Sequence, residues 1–259
     1  MSQIDSRATI SASAKVGRNV RIGPCAVVGD EVELGEGCVV ENHAVLTGPA
    51  RFGRENHFHP SCAIGGSRDL AYNGARTWLE TGEANEFREF STVDHGTDKG
   101  GNGTRIGSHN LVLSYAHIGH DCIIGNHILL VNGAQLAGHI HIEDYASVGS
   151  FCRVHESCHI GGHSYITGHT QITKDVPPFS VVAASRGTRC YGINKVGLEK
   201  REFSPERIQP IEQAYRLLLR SKLNTTQAVE RMRGALSHSE DVLAIIRFIE
   251  STAERGFTK

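Results

Sequence analysis

The chain has 259 residues, a formal net charge of −1 with His neutral, and 39% hydrophobic residues. That balance excludes a basic nucleic-acid-binding or anionic-membrane-binding surface as the dominant feature. No apolar run approaches the roughly 18 residues of a membrane span, and the opening MSQIDSRATI lacks the basic and apolar segments of a secretory signal. A cytoplasmic protein without integral membrane association is the expectation. The seven Cys match no zinc knuckle or disulfide scaffold, so they read as buried free thiols in a reducing compartment.

The N-terminal half repeats in sixes. Apolar residues stand at Ile10, Val16, Ile22, Val28, Leu34, Val40, Leu46, Phe52, Phe58 and Ile64. A small residue usually follows four positions later, as at Ala14, Ala26, Cys38, Ala44, Ala50 and Cys62. The register returns at Phe87 and Val93, then runs unbroken from Ile106 to Ile172 through Ile118, Leu136 and Val154. Neither a helix nor a simple strand repeats at six. A short strand plus a turn does, and stacked turns make a parallel β-solenoid with an aliphatic core. Three hexads, or 18 residues, complete a three-sided coil. The pattern resembles the left-handed β-helix of hexapeptide-repeat acyltransferases. The handedness is what that resemblance implies, since sterics alone favour right-handed crossovers.

Two segments leave the register, about 66–80 and about 94–104, and read as loops placed on the binding face. The repeat ends near Lys174-Asp175-Val176-Pro177-Pro178, and a linker runs to about 203. Ser204-Pro205-Glu206 then marks a helix N-terminus. A second helix is expected near Thr225, and a third after Ser239-Glu240-Asp241. The predicted organisation is an all-β solenoid over 1–185 and a linker with a C-terminal α-helical domain over 186–259. The exposed solenoid walls call for a symmetric homo-oligomer.

The chemistry concentrates in Ser114-Tyr115-Ala116-His117-Ile118-Gly119-His120-Asp121-Cys122. Adding one coil of 18 to His120 gives Gly138, and another gives Glu156. Adding 18 to Asp121 gives His139. With coils about 4.8 Å apart, His120, Asp121, Gly138, His139, His155 and Glu156 become one patch. A neutral His there can take the proton of an attacking hydroxyl or amine. A glycine N–H can stabilise the oxyanion of a thioester under attack, and the carboxylate can hold the imidazole tautomer. The competing reading is that solenoid histidines merely cap walls and turns. A zinc site is weighed and set aside, because no set of three His has the spacing for tetrahedral convergence.

The segments A-H-I-G-H-D-C (116–122), N-G-A-Q-L-A-G-H (132–139), V-H (154–155), D-V-P-P (175–178) and G-I-N-K-V-G-L (192–198) together resemble the bacterial UDP-N-acetylglucosamine O-acyltransferases over essentially the whole chain. The resemblance implies transfer of a 3-hydroxyacyl group from acyl carrier protein to the 3-position of UDP-N-acetylglucosamine, as the first step of lipid A biosynthesis. It implies a homotrimer and no cofactor or metal. His120 would be the general base, Asp121 its partner and Gly138 the oxyanion donor. His117, His139 and His155 would line the acceptor and acyl pocket, and Asp69 would contact the sugar. Asn194, Lys200 and Arg201 would meet the nucleotide and phosphates. Gly168 would set the room for the acyl chain.

The departures fall on the acceptor side. Where the family has lysine this chain has Ala71, and an amide becomes Glu156. Asp94 and Glu199 are further acidic substitutions. Each disfavours a diphosphate sugar on Coulombic grounds. A 3-amino-sugar nucleotide acceptor is therefore the alternative, with a non-catalytic β-helix scaffold a third reading. Arg207, Arg216, Arg220, Lys222, Arg231 and Arg233 are candidates for docking the acidic carrier protein.

Overall fold

The structure, a computed structural model, describes residues 2–66, 76–98, 100–101, 103–184, 187–252 and 256–259. Short strands, mostly of two residues, stack into three walls of 11, 9 and 8 strands among these residues, all parallel except the last strand of the first wall. The chain visits them in the order A, B, C: Gln3–Ile4 lies in wall A, Thr9–Ile10 in wall B and Lys15–Val16 in wall C, and Arg21–Ile22 returns to wall A. This is a left-handed parallel β-helix of hexapeptide repeats. The register follows the sequence period: His117 pairs with Gln135, and Ile118 with Leu136. Leu136 in turn pairs with Val154.

The second residue of almost every two-residue strand points inward. Val93, Ile118 and Leu136 are fully buried in one such column. The small residue four places on, such as Ala116, Cys122 or Cys158, is equally buried where walls meet. The free Cys are thus buried except Cys25. Truncating a column residue such as Leu136 to Ala should cost about 2–5 kcal/mol, because a stacked coil cannot collapse into the cavity.

The corners explain the histidines. Nearly every corner holds one residue in the left-handed region, and His43, His109, His127, His139, His163 and His169 are among them, with φ between 56° and 59°. Asn, Asp and His tolerate that conformation best among residues with a side chain. Six of the 15 His therefore have a backbone reason to be present.

Two differences from the sequence reading concern the insertions. The solenoid resumes at Trp78–Thr81, where Thr81 pairs with Phe52 and Ile106. The inward residue there is a threonine, so apolar periodicity missed it until Phe87. A strand at Gly103–Ile106 likewise begins inside the second expected loop.

After an antiparallel strand at Arg189–Ile193 come four helices: α1 (Lys195–Lys200), α2 (Pro205–Arg220), α3 (Thr225–Leu236) and α4 (Glu240–Ser251). α1 lies within the expected linker. Ser204, Asn224 and Ser239 cap the other three with their side chains. α2 packs onto the last coil, where the Tyr215 hydroxyl donates to Pro178 O at 2.6 Å. Phe248 of α4 covers His159, with ring centroids 4.5 Å apart. No helix among the described residues is long and apolar enough to cross a membrane.

Candidate active site

Strands His117–Ile118, Gln135–Leu136 and Arg153–Val154 stack in wall B. Each is followed by the corner into wall C, and these three corners bring the patch together. His120 and Asp121 occupy the first, Gly138 and His139 the second, and His155 and Glu156 the third.

Asp121 anchors the patch. Its side chain is 0% exposed. The His120 Nδ1–H donates to Asp121 Oδ2 at 2.9 Å. From the second insertion, the Thr97 N–H donates to Oδ1 and Oδ2 at 2.9 and 3.0 Å, and its hydroxyl donates to Oδ2 at 2.6 Å. The Asp121 N–H donates to Thr104 Oγ1 at 2.9 Å. Burial alone would push the Asp121 carboxyl up. The bonds from Thr97 and His120 outweigh it, and the net shift is below the usual carboxylate range. An ionised carboxylate only accepts. A neutral His120 therefore carries its proton on Nδ1, which leaves the Nε2 lone pair free.

Glycine is required under that ring. A Cβ at Gly138 would lie 2.5 Å from His120 Nε2 and closer still to Cε1. At Gly100 a Cβ would run into the Asp121 carboxylate. His139 stands edge-on to His120, with centroids 5.0 Å apart and planes at 89°. Its Nε2 is 3.9 Å from both Asp121 Oδ2 and Glu156 Oε1. His117 shares a 2.8 Å hydrogen bond with Thr92 Oγ1, and its Nε2 lies 3.9 Å from buried Asp94. His155 and Glu156 are exposed at the outer edge of the patch.

Among the described residues, the only group whose ligand atoms converge as a metal would need is His120, Asp121 and His139, within 4.8 Å of one another. Four hydrogen bonds already occupy the Asp121 oxygens. These residues suit an orienting carboxylate better than a cation.

The remaining predicted residues lie elsewhere. Gly168 follows strand Tyr165–Ile166 of wall A, so it sits at the corner from A to B, not beside His120. Asn194 caps α1, accepting from Gly197 N at 3.2 Å and donating to His163 O at 3.0 Å, at the corner from C to A. Arg201 donates to Tyr145 O at 2.8 Å at that same corner, and burial lowers its pKa. Lys200 ends α1 and is exposed. Within one chain the three groups occupy three different corners. Asp69 and Ala71 lie outside the described residues.

Of the expected docking cations, Arg207 pairs with Asp241 at 2.7 Å and Arg233 with Glu250 at 2.6 Å. Arg216 and Arg220 line a groove of about 620 Å³ with Lys195 and Tyr191.

Sequence reasoning missed Thr97 and Thr104. They lie in or beside the insertion, off the 18-residue arithmetic, so no stacking rule could place them against Asp121.

Two family profiles match the chain. One, described as UDP N-acetylglucosamine O-acyltransferase, domain 2, covers residues 175–258; the other, bacterial transferase hexapeptide, covers 13–48. The acyl-[acyl-carrier-protein]–UDP-N-acetylglucosamine O-acyltransferase of Thermodesulfovibrio yellowstonii is 40% identical over 100% of both chains. Among solved structures, LpxA from Acinetobacter baumannii superposes with a TM-score of 0.94 at 35% identity, covering 99% of each chain. The UDP-N-acetylglucosamine acyltransferase of Francisella novicida gives 0.95 at 35% identity, over 99% of this chain and 94% of that one. With relatives of that identity spanning its full length, the chain belongs to the UDP-N-acetylglucosamine O-acyltransferase family.

Proposed function

We propose that this protein transfers a 3-hydroxyacyl group from acyl carrier protein to the 3-hydroxyl of UDP-N-acetylglucosamine, the first step of lipid A biosynthesis. The observation that carries the chemistry is the 2.9 Å bond from His120 to a buried, ionised Asp121, with Gly138 directly beneath the ring. His120 Nε2 takes the proton as the sugar oxygen attacks the thioester carbonyl. The Gly138 N–H donates to the resulting oxyanion. Collapse expels the carrier thiolate, and the imidazolium returns its proton to that sulfur. The products are an ester and a free carrier thiol. His117, His139 and His155 line the acceptor and acyl groups around this centre.

Asn194, Lys200 and Arg201 are proposed to meet the nucleotide and phosphates, and Gly168 to bound the acyl chain. All four lie at corners other than that of His120, so one chain cannot assemble the site. A homotrimer that apposes corners of neighbouring chains satisfies this requirement, and a sedimentation mass three times that of the chain checks it. The groove bearing Arg216 and Arg220 is the proposed carrier-protein surface, and the proposed location is the cytoplasm, where such a carrier works.

A second reading has an observation of its own. Carboxylates of Asp94 and Glu156 stand 3.9 Å from His117 and His139. These carboxylates favour an ammonium on the acceptor, which, after losing one proton to solvent, attacks as the amine and gives an amide from a 3-amino-sugar nucleotide. Competition decides: 3-hydroxyacyl carrier protein is offered both acceptors, and the products are sorted by mass and by lability to hydroxylamine. The expected main product is the hydroxylamine-labile ester. A dominant amide establishes the second reading, and no acylation of either sugar overturns both.

A further inference from the structure

The second insertion contributes more to the site than cover. Of the four hydrogen bonds that reach the Asp121 oxygens, three come from Thr97, two through its N–H and one through its hydroxyl. Gly100, three residues on, packs so closely on the same carboxylate that no side chain fits there. The base of the insertion is itself pinned. His95 is 7% exposed, and its Nδ1 lies 2.6 Å from Thr77 Oγ1 at the edge of the first insertion. The Thr97 donors therefore arrive on a fixed backbone, against a side chain with no access to solvent.

We propose that Thr97 is a positioning residue for acyl transfer, fixing the Asp121 carboxylate and, through it, the ring orientation and tautomer of His120. The reasoning is one of proton inventory. A buried carboxyl with too few donors takes up a proton. Protonated Asp121 can donate to His120 Nδ1, which moves the imidazole proton to Nε2. That nitrogen then has no lone pair for the sugar hydroxyl, and the base is lost although no atom of the ring has moved. Donors to Asp121 prevent this, and the Thr97 hydroxyl makes the shortest of the four contacts.

This inference rests on His120 being the base, and two readouts separate the two ideas. The first is kinetic. Thr97→Val removes the hydroxyl and keeps the shape and the amide. It should lower kcat on the order of 10- to 100-fold, the worth of a hydrogen bond to a charged group. The KM for the sugar should stay within about twofold. The acid limb of the kcat profile should move to higher pH, because Asp121 now binds a proton more readily. Thr97→Ser should restore both rate and limb.

The second readout needs no substrate. In protein carrying 15N-labelled histidine, the His120 ring should be an Nδ1–H tautomer in the wild type and a mixture in Thr97→Val. A Val variant with wild-type kcat, a lower kcat with an unmoved acid limb, a Ser variant no better than Val, or an unchanged tautomer would each overturn the role of Thr97. If the wild-type enzyme acylates no sugar while the tautomer shifts as expected, the proposed activity is wrong and the positioning role stands.

Discussion

Two corners of the same prism both hold histidines and put them to different use. At the corner from C to A, the rings of His109, His127, Tyr145, His163 and Phe179 stack face to face, with centroid spacings of 5.0, 4.7, 4.9 and 5.4 Å. At the corner from B to C, His120 and His139 meet edge to face beside a buried carboxylate. The first column is packing. Its stacking holds successive coils in line and seats Phe203, whose ring lies 5.1 Å from His163. The second is the proposed centre of chemistry, where a charged acceptor fixes one ring nitrogen and leaves the other free. Histidine content does not separate the two, whereas the neighbour at hydrogen-bond distance does.

The larger effect is expected at Gly138. Its Ala variant places a methyl 2.5 Å from His120 Nε2, so the ring must swing away. The expected loss in kcat is on the order of 10²–10³-fold, with the oxyanion geometry disturbed as well. The thermal unfolding midpoint should hardly change, since the Gly138 backbone is one that Ala adopts. A variant with near wild-type turnover would show that His120 does not need its present position.

The smaller effect lies at the other corner and is read as stability. Burial first, then the cations Arg201 and Arg207, bring the His163 pKa down to about 4 from 6.5. Its Nδ1 is buried with no hydrogen-bond partner among the described residues. Between pH 6.5 and 4 the unfolded chain binds a proton there that the folded chain refuses. The stability this gives is therefore full above pH 6.5 and is lost as pH falls toward 4, by about 3 kcal/mol. His163→Phe should remove that loss, narrowing the difference between urea midpoints at pH 7 and pH 4.5 while leaving acyl transfer intact. An unchanged difference would mean that His163 charges freely in the folded state.

The legible part of the fold was the part with a period. Ile106 through Ile172 announces its coils because each inward slot is aliphatic. Thr81 fills such a slot with a polar side chain and hid one strand, Trp78–Thr81, from the periodicity. α1 escaped because six residues are too few to show a periodic face. In the site, adding 18 brought His120, Gly138 and Glu156 together, since stacking translates sequence distance into one corner. The same arithmetic separates Gly168 from them, and Asn194 lies beyond the last repeat. Roles inferred by resemblance carry no such geometry, and these residues lie at other corners of the single chain. Thr97 was beyond reach because an insertion obeys no period.

The most direct measurement is acyl transfer to UDP-N-acetylglucosamine by the wild type and by the His120→Ala and His163→Phe variants, followed by mass spectrometry. Mono-acylated product is expected from the wild type and His163→Phe, with the rate of His120→Ala reduced on the order of 10²–10⁴-fold. A folded His120→Ala protein that keeps more than roughly a tenth of the wild-type rate would contradict it, because no general base of this kind is so dispensable.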